Sequence, residues 1–555
     1  MKSGNVVFVL HSHLPWALNH GKWPHGEEWV HEAVAECYLP LIKAFKDLAQ
    51  MNISANITIG FSPVLLEQLA HKTYDAKFIT YCEERITLAR KDEIRFMKWG
   101  EPQQKIGLAI YWQKWYQEKL DLYKEYGGVI KAFKELQDYQ SIEIMTCGAT
   151  HLYYPLAPTD KSIDWQIKVS KQNHKKHFGV EPKGTWMPEC AYRPAYAWQT
   201  LIPVSPYNQK HKRKGIEELL DENQMAYTFV DEDMIVGGEI METFSHNNQL
   251  DILKSYWVKS KHSVTGRATQ FYGRHKDLAM QVWSGDSGYP GHGDYLDFHK
   301  KQDKSQLRYW RVTDTKLDMQ FKELYNPEWI KDKIDMQTHH FIHHLEETCK
   351  DFKNRTGDDA TICLPFDTEL FGHWWFEGPE FIKRMIEGIH HSPYIDMKTA
   401  SNNLQENPSK IVISIPEGSW GEKNNHSVWM NDQVKWCWEI IYNAENKFRN
   451  LLAQFDEEQI KKANKTLLSY LNQTLKELML LQSSDWEFLI HNGSAADYAE
   501  MRVVNHYSDF LRLCSYIDRI ANDDKLLPEE KSDIKNIMKR DSIFSELSIL
   551  DYLEL

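Results

Sequence analysis

The eight cysteines of this 555-residue chain never fall at C-x-x-C spacing. That argues against a zinc ribbon or a disulfide framework, so reduced thiols are expected. No window approaches 18 consecutive apolar residues, which leaves no candidate transmembrane helix. Met1–Asn5 runs straight into the apolar Val6–Leu10, without the long apolar segment and cleavage site of a secretory leader. A soluble, cytoplasmic protein is therefore expected. Positive charge is in deficit: 66 Lys and Arg stand against 79 Asp and Glu, a formal net charge of −13. That balance disfavours nonspecific affinity for nucleic acid or for an anionic membrane. Internal repeats and low-complexity tracts are missing as well.

What is abundant is aromatic: 20 Trp, 27 Tyr and 23 Phe. Indoles in such number suit a large core, or stacking against flat, weakly polar ligands such as sugar rings. With 42% hydrophobic and 26% charged residues the chain is globular in composition. At ~150 residues per domain its length suggests three or four domains, or one large barrel with additions.

Over the first four hundred residues, short β-rich runs alternate with helical patterns. Val6–Leu10 is continuously apolar, as a strand buried on both faces should be. Further strands are expected at Ile53–Ile59, Ile142–Thr146, Lys183–Trp186, Ala226–Val230, Ala279–Val282 and Thr361–Phe366. Strands separated by helices predict βα units around a parallel sheet, and repetition at this length predicts a barrel. About 234–270 breaks the rhythm and reads either as a cleft-covering lid or as a surface insertion. After Pro416 the β signals stop; Leu467, Leu468, Leu471, Leu475 and Leu478 form one helical stripe.

Three polar clusters sit just past strand ends, where parallel α/β barrels place their chemistry. In His11-Ser12-His13 the alternate residues point the same way, so both imidazoles can converge on a metal or on hydroxyls. In Trp186-Met187-Pro188-Glu189-Cys190-Ala191-Tyr192-Arg193, a carboxylate beside a cation is expected to stay ionised, as a nucleophile must. Cys190 reads as a structural thiol. Asp367 ends an apolar strand and is followed by Phe371, Trp374 and Trp375; low polarity there would keep its carboxyl protonated as a general acid. Glu369 and His373 read equally as a network orienting loops. Carboxyls in contrasting environments are what glycosidic bond cleavage needs.

These clusters, in this order, resemble glycoside hydrolase family 57, and within it the α-glucan branching enzymes. The resemblance is carried further by Gly60–Leu69, by Thr150-His151 with Pro155, and by Trp283 with Gly288-Tyr289-Pro290-Gly291. Pro416–Gly421 leading to Trp429, Trp436 and Trp438, and Gln482–Trp486, extend it over nearly the whole chain. It implies an incomplete TIM-like (β/α)7 barrel with a small inserted domain and a C-terminal all-helical domain. The expected division is 1–415, with helical insertions at about 90–130 and the loop at about 234–270, then 416–555 completing the cleft.

It also implies that Glu189 is the nucleophile and Asp367 the general acid/base. His11, His13 and His151 would line the donor subsite; Trp283, Trp420, Trp429 and Trp438 would be cleft aromatics. Asp485 would be the polar residue contributed by the helical domain. Tyr256 would stand at the tip of the loop that shields the intermediate from water, although Asp251–Thr265 departs from the family's pattern there. Trp16 stands where the family more often has Tyr, and Glu487 where Pro is more familiar. The implied reaction is retaining cleavage of an α-1,4-glucan and transfer to a 6-hydroxyl, in glycogen synthesis, by a monomer without metal or organic cofactor. A hydrolase or 4-α-glucanotransferase sharing the carboxylates is the near alternative. Farther off stand a metal-dependent barrel hydrolase using His11, His13, His151 and Asp367, and a glucan-binding protein with a degenerate site.

Overall fold

The computed structural model describes residues 2–243, 249–261, 263, 269–455, 460, 465–522 and 524–554. Its frame is a ring of parallel strands: β1 (Gly4–Ser12), β2 (Ile57–Phe61), β3 (Ile142–Cys147), β4 (Thr185–Trp186), β5 (Tyr227–Asp231), β6 (Gln270–Arg274) and β7 (Ala360–Asp367). Pairing runs β7-β1-β2-β3-β4 on one side and β5-β6 on the other. The bridge Gly184↔Tyr227 joins β4 to β5, and the His275 N–H donates to the Cys363 carbonyl across β6 and β7. These two contacts link the two sheets into a curled, barrel-like wall of seven parallel strands. Gly184 permits the first contact, because a Cβ there would lie 2.2 Å from the Tyr227 ring.

β1 is buried along nearly its whole length and β7 up to its last residue, which matches their unbroken Val, Ile, Leu and Phe content. Their register pairs His11 with Asp367, so the chemistry-bearing ends of both strands leave the barrel together. β6 corrects the expectation at Ala279–Val282, which is helical, within Lys276–Trp283. Short apolar runs do not distinguish strand from helix, whereas Gln270-Phe-Tyr-Gly-Arg hides a buried strand behind polar ends and a glycine.

The 234–270 segment is not an unstructured excursion. Glu239–Thr243 and Ser255–Val258 are strands, and both join Ile411–Ser414 in a second, mixed sheet continuous with β5 and β6. The stretches of the expected lid at 244–248, 262 and 264–268 lie outside the described residues. The helical insertion is a hairpin of Tyr74–Trp99 and Gln103–Tyr126.

Beyond Pro416 the described chain is helical, with long helices at Lys435–Leu452, Lys465–Leu481 and Ala496–Ala521. It docks on the barrel mouth through backbone. Leu152 pairs with Ser483, the Ser484 N–H donates to the His151 carbonyl at 3.0 Å, and Tyr192 pairs with Gly418. All eight cysteines are free and buried. Among the described residues, no helix is long and apolar enough to cross a membrane.

Candidate active site

Glu189 follows β4 in a short 3-10 turn with φ 61° and ψ 22°, and Cys190 and His151 also have positive φ. Left-handed backbone costs ~1–3 kcal/mol at a non-glycine residue and persists only where surroundings enforce it. Here the enforcement is visible. The Gly418–Trp420 segment folds back on Glu189–Tyr192, and the Trp420 N–H donates to the Glu189 carbonyl at 3.1 Å. The Trp420 indole Nε1–H then donates to Glu189 Oε2 at 2.9 Å, and the Ser484 hydroxyl to Oε1 at 3.0 Å.

The hydroxyl of Ser484 has one proton, and an ionised Glu189 can only accept it. Ser484 Oγ must therefore accept from His151 Nδ1–H at 2.8 Å, leaving His151 Nε2 to accept from His11 Nε2–H at 3.1 Å. One directed chain, His11 to His151 to Ser484 to Glu189, so aims at the carboxylate. His13 closes the floor: its Nε2 meets Asp485 Oδ2 and its Nδ1 meets Ser62 Oγ, each at 2.8 Å. The His13 and His151 rings stack at 3.8 Å, and His11 lies 4.7 Å from Trp186.

Burial pushes the Glu189 carboxyl up to about 7, helped by the charges of Asp367 and Asp485 and opposed by the hydrogen bonds from Trp420 and Ser484. Asp367 is likewise pushed up to about 7, by burial and then by Glu369, against His13 and Arg274. The two charges act on each other, so near neutrality the pair favours holding a single proton. Glu189 has two donors that stabilise its ionised form. The Asp367 carboxyl has no such donor among the described residues, and it is the one left to keep the proton. For Asp485 burial is again the largest influence and raises it, but the charge and hydrogen bond of His13, with His151 and Ser483, bring it to about 2. Burial is the largest influence lowering both His11 and His151, reinforced at His11 by His151 and His13 and at His151 by His13, against Asp485.

His13, His151 and Asp485 offer ligand atoms within 4.8 Å of one another, as do His11, Cys147 and His151. These are the residues that could hold a cation; Asp367 belongs to neither group. Burial raises the Cys147 thiol well above its ordinary value, so it presents no ready thiolate. The remaining donor atoms are already engaged with one another and with Ser62 and Ser484.

A sequence profile for glycosyl hydrolase family 57 matches residues 7–416, which carry both carboxyls and all three histidines. The chain belongs to glycosyl hydrolase family 57. A second profile, the C-terminal region of 1,4-α-glucan branching enzymes, matches residues 440–552 of this family-57 chain. A 1,4-α-glucan branching enzyme of Thermococcus kodakarensis is 36% identical over 536 residues, spanning 95% of this chain and 76% of the relative. The crystal structure of a family-57-type branching enzyme from Pyrococcus horikoshii superposes with TM-score 0.89 at 33% identity, covering 99% of this chain and 97% of that one. The α-amylase AmyC of Thermotoga maritima superposes with TM-score 0.81 at 26% identity, covering 100% and 99%.

The family-57 frame gathers Glu189, Asp367, His11, His13, His151, Asp485 and Trp420 at one barrel mouth. Trp283 joins them at the end of its helix, 6.4 Å from Trp420 and 40% exposed. Three expected residues are placed elsewhere. Tyr256 is a strand residue, fully buried, whose hydroxyl donates to the Asp251 carbonyl at 2.8 Å; it is not a loop tip. Trp429 and Trp438 are each 1% exposed, so neither has a free face for a sugar. Trp429 packs on Tyr153 at 4.6 Å, and Trp438 Nε1–H donates to the Trp429 carbonyl at 2.7 Å. They support the cleft from behind.

Arg193 is not the neighbour that keeps Glu189 ionised: it turns away to the Pro194 carbonyl and, at 3.6 Å, to Asp160. The cation acting at the site is Arg274, at the end of β6 and paired with Asp231 at 2.8 Å. Arg274 escapes sequence reading because its strand does. Ser484 lies inside a quoted motif, yet nothing about a serine in sequence says that its proton is aimed at a residue 295 positions away. Glu369 and His373 do form an orienting network: Glu369 accepts from the Tyr38 hydroxyl, and His373 Nδ1 meets Glu36 at 2.8 Å.

Proposed function

We propose that this protein is a 1,4-α-glucan branching enzyme acting by retaining transfer. Glu189 attacks the anomeric carbon of an α-1,4-linked glucan while Asp367 protonates the departing 4-oxygen, leaving a glycosyl–Glu189 ester. Asp367, now ionised, takes the proton from the 6-hydroxyl of a second glucan chain. That oxygen attacks the same carbon and frees Glu189, forming an α-1,6 branch. His11, His13 and His151 form the wall behind the donor side, where their hydrogen bonds to one another and to Ser62, Ser484 and Asp485 fix the setting of Glu189.

The observation that carries this reading is the unequal pair. Two carboxyls share a cleft and burial raises both to about 7; Glu189 accepts from Trp420 and Ser484, whereas Asp367 has no hydrogen-bond donor among the described residues. Ser484 and Asp485 lie within the region that matches the branching-enzyme profile. The test is linkage analysis after incubation with amylose. New α-1,6 linkages in excess of new reducing ends support transfer, and reducing ends without branches overturn it. Retention requires the carboxyls ~5–5.5 Å apart and gives products of unchanged anomeric configuration, which NMR of early products reads directly.

Hydrolysis is the second reading, because the AmyC α-amylase shares this frame over its whole length. Water and a sugar hydroxyl compete for one anomeric carbon, so exclusion of water decides the outcome. A monomeric working unit is proposed, and the eight buried thiols favour a reducing cytoplasm. Sedimentation and cell fractionation check these two points.

A further inference from the structure

Two indoles near Asp367 are too exposed to serve the core: Trp283 at 40% and Trp374 at 54%. They stand on a cavity of about 450 Å³ that Asp367 lines and Glu189 does not. Its size lies within the ~300–1,000 Å³ of small-ligand sites. Phe298 backs Trp374, ring centroids 4.3 Å apart and planes 31° from parallel, fixing the indole as a plate rather than a loose side chain. Asp286 and His299 add exposed polar edges to the same cavity. At the inner end Trp283 lies 6.4 Å from Trp420, whose N–H holds the nucleophile, so aromatic surface runs from Glu189 outward past Asp367.

We propose that this cavity is the acceptor groove and that Trp374 is its sugar platform, an inference that rests on the branching reading above. The chemistry assigns the side. In the first step the C1–O4 bond breaks as the C1–O bond to Glu189 forms, and the Asp367 proton goes to O4. The departing chain therefore lies where Asp367 can reach it. In the second step the C1–O bond to Glu189 breaks as C1–O6 forms, and the O6 proton returns to Asp367. The incoming chain must occupy the same side. The cavity lined by Asp367 offers aromatic plates for pyranose faces and polar groups for the hydroxyls around them. Trp374 thus sets the partition between transfer and hydrolysis by raising the local concentration of acceptor over water.

The test uses the full-length protein with amylose as donor and a maltooligosaccharide series as acceptor, counting new α-1,6 linkages and new reducing ends. Trp374→Ala is expected to raise the acceptor KM about tenfold and to lower the ratio of branches to reducing ends at least about fivefold. Trp374→Tyr should recover most of that ratio, because a smaller plate remains. Asp286→Asn, which leaves the platform intact, provides an independent variant and should lower the ratio about twofold. A wild-type ratio in Trp374→Ala overturns the groove assignment. A wild-type protein that makes no branches at all overturns the branching reading, and with it this inference. A low ratio in Trp374→Ala that Trp374→Tyr does not restore, with a melting temperature well below wild type, also overturns the groove assignment, because damage to the fold would then account for it.

Discussion

Glu189 and Asp367, the proposed catalytic pair, and Asp541 are carboxyls in dry surroundings with opposite fates. Asp541 joins the helical region to the barrel, accepting from Trp16 Nε1–H at 3.0 Å and His20 at 2.5 Å, with Arg540 at 2.6 Å. Burial is the largest single influence on it and would raise it. The hydrogen bond and charge of His20, with His506 and Arg540, hold it far below the usual carboxylate range. Glu189 and Asp367 are buried without a cationic hydrogen-bonding partner and rise to about 7. Burial alone therefore does not say what a carboxyl does. A carboxyl given a cationic partner stays ionised, and one left without such a partner is raised toward neutral pH.

Breaking each side should give different symptoms. Glu189→Gln and Asp367→Asn should each lower branching on amylose at least ~10³-fold, with glucan binding retained in Glu189→Gln. Rates within tenfold of wild type would remove the role assignments. Asp541→Ala should act on stability instead, costing ~3–5 kcal/mol in denaturant unfolding, because Arg540, His20 and the Trp16 N–H lose their buried partner. Ser484→Ala leaves Glu189 one donor short and should reduce kcat about ten- to a hundredfold, the cost of a hydrogen bond to a charge at ~1.5–3 kcal/mol.

Stability against pH sharpens the contrast further. A carboxyl at about 7 when folded and 4.5 as its ordinary value favours the fold fully below 4.5 and loses that contribution as pH rises through 7. Glu189→Gln avoids burying the ion, so it should be more stable than wild type by ~1–3 kcal/mol at pH 8, with the gap closing near pH 4. Melting curves at both pH values measure it. The smallest effect is expected from Asp485→Asn. Removing that charge lowers the Glu189 pKa, so the acid limb of the kcat/KM profile should move to lower pH.

Sequence exposed the strand ends because β1 and β7 are buried on both faces and cannot be anything but apolar. It exposed His11, His13, Glu189 and Asp367 because polar residues directly after such runs have few other reasons to be there. It misplaced the sixth strand, since Ala279–Val282 looks more apolar than Gln270–Arg274 although the latter pairs with β5. It also misjudged the tryptophans. Indoles at cleft-facing and cleft-supporting positions look alike in one dimension, and only packing separates Trp429 and Trp438 from Trp283. The partners of the Glu189 carboxyl were likewise hidden: Arg193 is close in the chain but directed elsewhere, while Trp420 and Ser484 arrive from 231 and 295 residues away.

Because the serine that donates to Glu189 and the aspartate that anchors His13 both begin the helix Asp485–Asn492 or immediately precede it, the helical region is part of the proposed reaction centre. It cannot be exchanged between relatives as an independent module. A hybrid joining this barrel to another protein's helices would inherit catalysis only if the Ser484-Asp485 step landed in register with His151, and a slip that put Asp485 in the place of Ser484 would point a carboxylate where a hydroxyl is required.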